Sequence, residues 1–373
     1  MVDKFADIRC YYDSEVPDLL NTLRHDQVFS ALLSSLFKVS DQQVDKLWRC
    51  QTVDQIQHWL AEYIAPQIEA QTGSIEVIGL ANLEPNERYV FVSNHQDILM
   101  DPFLVNLALY KHAFKACYNA IGDNLLGSKV ADIIARLNRC FVIPRGVQSP
   151  KAMFTALKLQ SQYIRHLYQE KGGSMWIAQQ EGRSKDGKFF TNPALLKMLA
   201  LGRDKGANVL DYLNDLHIVP LCIGYEWDPC DIDKANQLLS EETKKQSGDD
   251  LASVMKSLQG HFGAITLHFG EPITVPAHEA NTESINIITE YFAKRIDTHI
   301  HRSLMPTASN YAAASLLNLD YTLANSTLTV ADIQNAQNQL IERLRISDKH
   351  RLSPLQKRVL YTYADTLNFT DNN

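Results

Sequence analysis

The fold class predicted by this sequence is α/β: a central, mostly parallel sheet flanked by helices, with helical additions at both ends. Three observations predict it. Seven short runs rich in Val, Ile, Phe and Tyr recur between Ser74 and Gly270, each bounded by Gly, Asn, Pro or charge. Helical stretches alternate with them, which is the pattern of a sheet covered on both faces. One run, IVPLCIGY at 218–225, is almost continuously apolar, as a strand buried on both sides must be.

Before Ser74 the chain reads as helix. From Asp18 to Phe37, Leu19, Leu23, Val28, Leu32, Leu33 and Leu36 recur near the helical period, and VDKLWRC and VDQIQHWLAEYIAPQI continue in the same character. The strand candidates then follow: SIEVIGL, YVFVSN, FKACYNAI, CFVIP, SMWIAQ, IVPLCIGY and AITLHFG. Between them lie the helical stretches PFLVNLALYKHAF, SKVADIIARL, SPKAMFTALKLQSQYIRHLYQEKG and NPALLKMLALGRD. After GEPITV comes INIITEYFAKRIDTHIHRSL, which could equally close the sheet domain, then a polar break near Pro306. Two more helical segments, VADIQNAQNQLIERLR and SPLQKRVLYTYADTL, complete the chain. The expected division is a helical N-terminal subdomain over 1–73, a sheet domain over 74–305 and a helical C-terminal extension over 306–373.

Composition narrows the function classes. The 373 residues are 45% hydrophobic and carry a formal charge of −7, which excludes bulk nucleic-acid binding. An anionic ligand must therefore meet a local cluster of cations rather than a general field. Six cysteines (Cys10, Cys50, Cys117, Cys140, Cys222, Cys230) lack CxxC spacing and read as buried thiols in a reducing compartment. The first residues hold Asp3, Asp7, Asp13 and Glu15 and no apolar core of a secretory signal, and no stretch reaches the roughly 18–20 apolar residues of a spanning helix. A cytoplasmic protein is expected, with peripheral contact to the cytoplasmic membrane face as an extension. The candidate contact is GDNLLGSKVADIIARL through Leu125, Leu126, Val130, Ile133 and Ile134; the plainer alternative is a helix packed on the sheet.

Four segments carry chemistry. In YVFVSNHQDILMDPF a strand runs into a turn, and polar side chains at the carboxyl ends of parallel strands project into the crevice where α/β proteins bind ligands. His95 is followed by carboxylates at Asp97 and Asp101, and a histidine held by a carboxylate is the minimal unit for taking a proton from an alcohol. The bland reading is a helix cap at Asn94 or Asp97 beside a surface histidine. CFVIPRG ends a second strand at Arg145, whose planar fork suits a phosphate. MWIAQQEGRSKDGK ends a third at Glu181 and Gly182, with Arg183 and Lys185 close behind; it is either an anion-binding turn or a charged hairpin tip around Asp186 and Gly187. In LHIVPLCIGYE, Pro220 is awkward for a central strand, which suggests an entry point or a bulge flooring the pocket; the plainer alternative, and the favoured one, is core with an edge proline.

Taken in order, NH with an Asp close behind, then FVIPR, EGR and IVPL, these segments resemble the four blocks of the glycerolipid acyltransferase superfamily. That superfamily includes glycerol-3-phosphate and 1-acyl-glycerol-3-phosphate acyltransferases. The resemblance covers roughly 74–275. It implies that His95 is the general base, with Asp101 or Asp97 completing a His–Asp dyad, and that the alkoxide attacks the thioester of acyl-CoA or acyl-carrier protein without an acyl-enzyme. It further implies a substrate-binding set of Asn94, Arg145, Glu181, Gly182, Arg183 and Lys185, in which the arginines grip the acceptor's phosphate. No cofactor and no metal is implied; the acyl donor is a co-substrate.

Two departures from the family pattern bear on the site. The usual spacing is His, four residues, Asp, but position 100 is Met and the carboxylates lie at 97 and 101. On a regular helix six positions turn about 240°, so Asp101 can face His95 only if the helix starts later. The DPF that follows favours Asp101. The third block lacks the family's Thr, and EGRSK together with NHQ is similar to the soluble plastid glycerol-3-phosphate acyltransferases. Alternatives are an acyltransferase acting on another amphiphile, and a non-catalytic lipid-binding relative.

Overall fold

The computed structural model describes residues 3–70, 72–144, 149–240, 249–280, 284–323 and 327–370. Seven strands form one sheet: β1 (Ile75–Ile78), β2 (Val90–Ser93), β3 (Tyr118–Gly122), β4 (Cys140–Ile143), β5 (Met175–Ala178), β6 (Ile218–Tyr225) and β7 (Ile265–Phe269). Their order is β1-β7-β6-β2-β5-β3-β4. Every neighbouring pair is parallel except β6 and β7, so the expected mostly parallel sheet is present with β1 and β7 reversed against the rest. All seven apolar runs named from the sequence contain a strand.

The pleat divides the core into two layers. Val90 and Val92 face one of them, with Phe292, Ile296 and Ile300 of the Ile285–Ser303 helix, while Phe91 faces the other. That helix therefore closes the sheet domain. The second layer joins Phe91 and Val219 to Leu20, Leu23, Ile56, Trp59 and Ile68 from the N-terminal helices. The helices between Val16 and Glu69 thus form one of the sheet's covering layers and share its core, while Phe5, Ile8 and Cys10 join the other layer. These first residues even extend the sheet edge, where Val142 of β4 donates to the Ile8 carbonyl (2.8 Å).

A third core belongs to the C-terminal helices Ala308–Leu317, Val330–Arg343 and Pro354–Ala364, and includes Trp227 and Ala235 from the chain just after β6. Ile133 of the Lys129–Leu137 helix is buried, and Leu126, Val130 and Ile134 pack against the core, so this segment is a packed helix rather than an open apolar face. Among the described residues no helix is long and apolar enough to cross a membrane. All six cysteines are buried and unpaired.

Pro220 corrects the expectation of an entry point or bulge. It sits inside β6 opposite Val92, where the antiparallel pairing with β7 has just ended at Leu221–Phe269. Its carbonyl still accepts from the Gly270 N–H (2.8 Å), so the missing N–H costs a single bond at the end of the regular ladder.

Candidate active site

The parallel strands place their carboxyl ends along one edge, with Ser93 of β2 in register with Ala178 of β5 and Leu221 of β6. Because β6 outruns β2, the chain leaving Ser93 still has backbone to bind. Asn94 uses its side chain for this: its Nδ2 donates to the Ile223 carbonyl and its Oδ1 accepts from the Ile223 N–H, both at 2.8 Å. Asn94 is wholly buried, which corrects its assignment as a substrate-binding residue. Its amide replaces a lost ladder pair and sets where the turn begins.

The turn that follows decides between the two carboxylates. The helix begins only at Met100, so His95 to Leu99 are not helical and the angular objection to a six-residue spacing does not apply. Asp101, in the first helical turn, folds back over the turn and accepts from His95 Nδ1 (2.7 Å), Gln96 N (2.7 Å) and Asp97 N (3.1 Å) on one oxygen. Its other oxygen accepts from the Tyr225 hydroxyl (2.5 Å). These donors offset the cost of a carboxylate with no solvent exposure. With donors converging on the carboxylate, Nδ1 carries the imidazole proton and Nε2 keeps its lone pair.

Asp97 does not pair with the ring, which corrects its candidacy as the histidine's partner. One oxygen takes the otherwise unpaired N–H groups of Leu99 (2.9 Å) and Met100 (2.8 Å) at the start of the helix, and the other accepts from Ser257 Oγ (2.5 Å). Burial raises its pKa above the ordinary value, and the Asp101 charge adds to the shift. The bland cap reading of Asp97 is therefore the structural one.

The ring of His95 is 15% exposed, so it is held yet reachable. Trp176 of β5 meets it edge to face at 5.7 Å, and the Trp176 indole is itself fixed by Ser93 Oγ (2.9 Å). The His95 carbonyl accepts from Ser184 N (2.8 Å), which ties the first block to the third. Arg183 is aimed by Ser253 Oγ (3.2 Å), while its Nη1 is buried without a partner among the described residues. Glu181 is exposed, Lys185 is half-buried, and Gly182 takes a left-handed φ of 79° with open space beside it. Gly187 is no hairpin tip: at φ 76° it lets the Thr362 carbonyl approach to where a Cβ would stand 2.5 Å away. Arg145 lies outside the described residues.

Tyr225, Trp176 and Ser257 were not singled out from the sequence. Tyr225 ends β6 as His95 follows β2, so the same strand-end argument would have found it. Burial pushes its hydroxyl pKa well above the usual value, and the nearby Asp101 and Asp97 charges push it further. A cleft beside the dyad is bounded by Gln96, Ser184 and Tyr225 on one side and by Met305, Thr362 and Tyr363 on the other.

Residues 74–224, which run from the start of β1 almost to the end of β6, match the acyltransferase family model. The dihydroxyacetone phosphate acyltransferase of Oryctolagus cuniculus is 20% identical over 342 residues, 85% of this chain and 49% of that protein. Over this span the chain is similar to the glycerolipid acyltransferases. The glycerol-3-phosphate acyltransferase of Pseudomonas syringae pv. tomato is 21% identical over 258 residues, 64% of this chain and 29% of that protein. The chain spans about half the length, or less, of these curated relatives. A solved 1-acyl-sn-glycerophosphate acyltransferase from Thermotoga maritima aligns with 77% of this chain and 93% of its own, at 15% identity and a TM-score of 0.38. Both members of the His–Asp pair and Arg183 fall inside the span matched by the family model.

Proposed function

We propose that the protein transfers a fatty acyl group from a thioester, acyl-CoA or acyl-carrier protein, to a hydroxyl of a three-carbon phosphate in phospholipid synthesis. The observation that carries this reading is the His95 ring held by Asp101 through Nδ1, with Nε2 left to accept a proton. Nε2 takes the acceptor's hydroxyl proton as that oxygen bonds to the thioester carbonyl carbon. The C–S bond then breaks, and the departing sulfur receives the proton from the imidazolium. No acyl-enzyme is formed, and no cofactor takes part. The unpartnered Nη1 of Arg183 is available to a phosphate oxygen, and gripping that remote group brings the hydroxyl within reach of the base. Glycerol 3-phosphate and dihydroxyacetone phosphate are the favoured acceptors, because the relatives are named for them; 1-acyl-glycerol 3-phosphate is the further candidate. The acyl chain of the product would bring the protein to a membrane surface peripherally.

The test is thiol release and product mass spectrometry across both donors and all three acceptors, for wild type and His95→Ala. Turnover by wild type that is lost in the variant is expected. Equal rates in the two proteins, or no turnover with any pair, overturn the reading.

A further inference from the structure

Lys234 lies on the Asp231–Leu239 helix, beyond the span shared with the family model, and is 3% exposed. A lysine is almost never buried this far unless it is paired. It forms an ion pair with Asp228 and donates to the Gln96 carbonyl at 2.7 Å. That carbonyl belongs to the peptide unit whose N–H, on Asp97, donates to Asp101 Oδ2. The ammonium thus grips one end of an amide whose other end is aimed at the carboxylate holding His95. An oriented amide dipole, polarised by a cation on its oxygen, is a stronger and stiffer donor.

The far side of this link is held by the C-terminal extension. Arg343 donates to the Asp228 carbonyl (2.9 Å) and to Asp231 Oδ1 (2.7 Å). The Tyr363 hydroxyl donates to Asp231 Oδ2 (2.8 Å) and accepts from the Asp228 N–H (3.1 Å). Asp231 is buried, and burial raises its pKa above the ordinary value, so these partners are what make a carboxylate tolerable there. We propose that Lys234 is a positioning residue for the His95–Asp101 pair, and that Arg343 and Tyr363 of the C-terminal extension hold it in place. The extension is then part of the active site as well as a wall of its cleft. The kinetic arm of the test rests on the proposed acyl transfer; the spectroscopic arm does not.

The experiment uses the full chain with the double substitution Lys234→Met/Asp228→Asn, which removes both charges and leaves neither buried alone. The His95 Nδ1–H is followed as a low-field proton resonance, assigned by its loss in His95→Gln. In the folded double variant the resonance should broaden or move upfield, with kcat lower by roughly 10- to 100-fold and acceptor KM little changed. Tyr363→Phe removes a single hydroxyl at the rim of the network and serves if the double variant does not fold. It should shift the same resonance and lower kcat by several-fold. An unmoved resonance in whichever variant folds overturns the proposal, as does an unchanged kcat where wild type turns over. A wild type without turnover sinks the acyl-transfer reading alone, because the resonance still decides whether Lys234 positions His95.

Discussion

Between Ile75 and Tyr225 the residues that meet at the site come from strand ends, the turns that follow them and the first turn of a helix, whereas from Asp228 onward they come from helices and the approach to one. His95, Trp176, Arg183 and Tyr225 belong to the first region, and Lys234, Ser253 and Ser257 to the second. A strand end presents a side chain at an edge shared by all parallel neighbours, so one short motif can deliver a functional group. A helix side presents a side chain only where tertiary packing brings that face. The first region therefore holds His95 with its partner Asp101, and Arg183, whose Nη1 has no partner among the described residues, while the second supplies further groups that aim them.

Substitutions in the two regions should fail differently. The largest effect is expected for His95→Ala, with kcat lower by about 100- to 10,000-fold, the usual share of a general base. Asp101→Asn should fall nearly as far, because the two residues act as a unit. Steady-state kinetics of both variants, with circular dichroism to show that they fold, provide the check; a small effect of Asp101→Asn would detach the carboxylate from the mechanism.

Arg183→Ala comes next and should act on a different parameter. A lost charge-assisted hydrogen bond is worth about 1.5–3 kcal/mol, so acceptor KM should rise roughly 10- to 100-fold with a smaller change in kcat. Ser253→Ala, which removes only the partner that aims Arg183, should show the same pattern at reduced size. If Ser253→Ala lowered kcat instead, the separation between functional and aiming residues would be wrong.

The smallest expected effect distinguishes the two aspartates. Asp97 has its pKa raised by burial, so the folded chain holds that proton more tightly than the unfolded chain does. Its contribution to stability is therefore lost as pH rises from the ordinary carboxyl value of 3.8 through the raised folded value. Asp97→Asn keeps an oxygen for the Leu99 and Met100 N–H groups and removes this titration. Urea unfolding of both proteins should show the variant gaining on wild type as the pH rises from about 4. A difference that stays constant with pH would remove burial of Asp97 as the cause.

Much of the first region was legible from the chain. Short runs rich in Val, Ile, Phe and Tyr, bounded by Gly, Asn, Pro or charge, gave all seven strands, and the order of the blocks pointed to His95 and Arg183. The second region was hardly legible. Neither Asp231–Leu239 nor Asp249–Gln259 was read as a helix, because KANQLL and LASVMKSLQ carry short, mixed apolar patterns with no strong cap or period. Ser257 and Lys234 lie 160 and 138 positions from their partners at Asp97 and Gln96, and no local spacing encodes such a contact. Asn94 was misread for a related reason: a polar residue at a strand end resembles a ligand-binding group until the neighbouring strand is seen to run past it.

By itself, the sequence determined the α/β sheet, and it pointed to the edge where the candidate site lies and to the histidine there. These follow from residue type and periodicity, which act over a few positions. Only the tertiary structure decided that Asp101 holds His95 while Asp97 caps a helix, because that depends on where the helix starts after the turn. It also decided that Lys234, Arg343 and Tyr363 reach the turn at all. Buried charges find partners through packing, and packing joins residues that the chain keeps far apart.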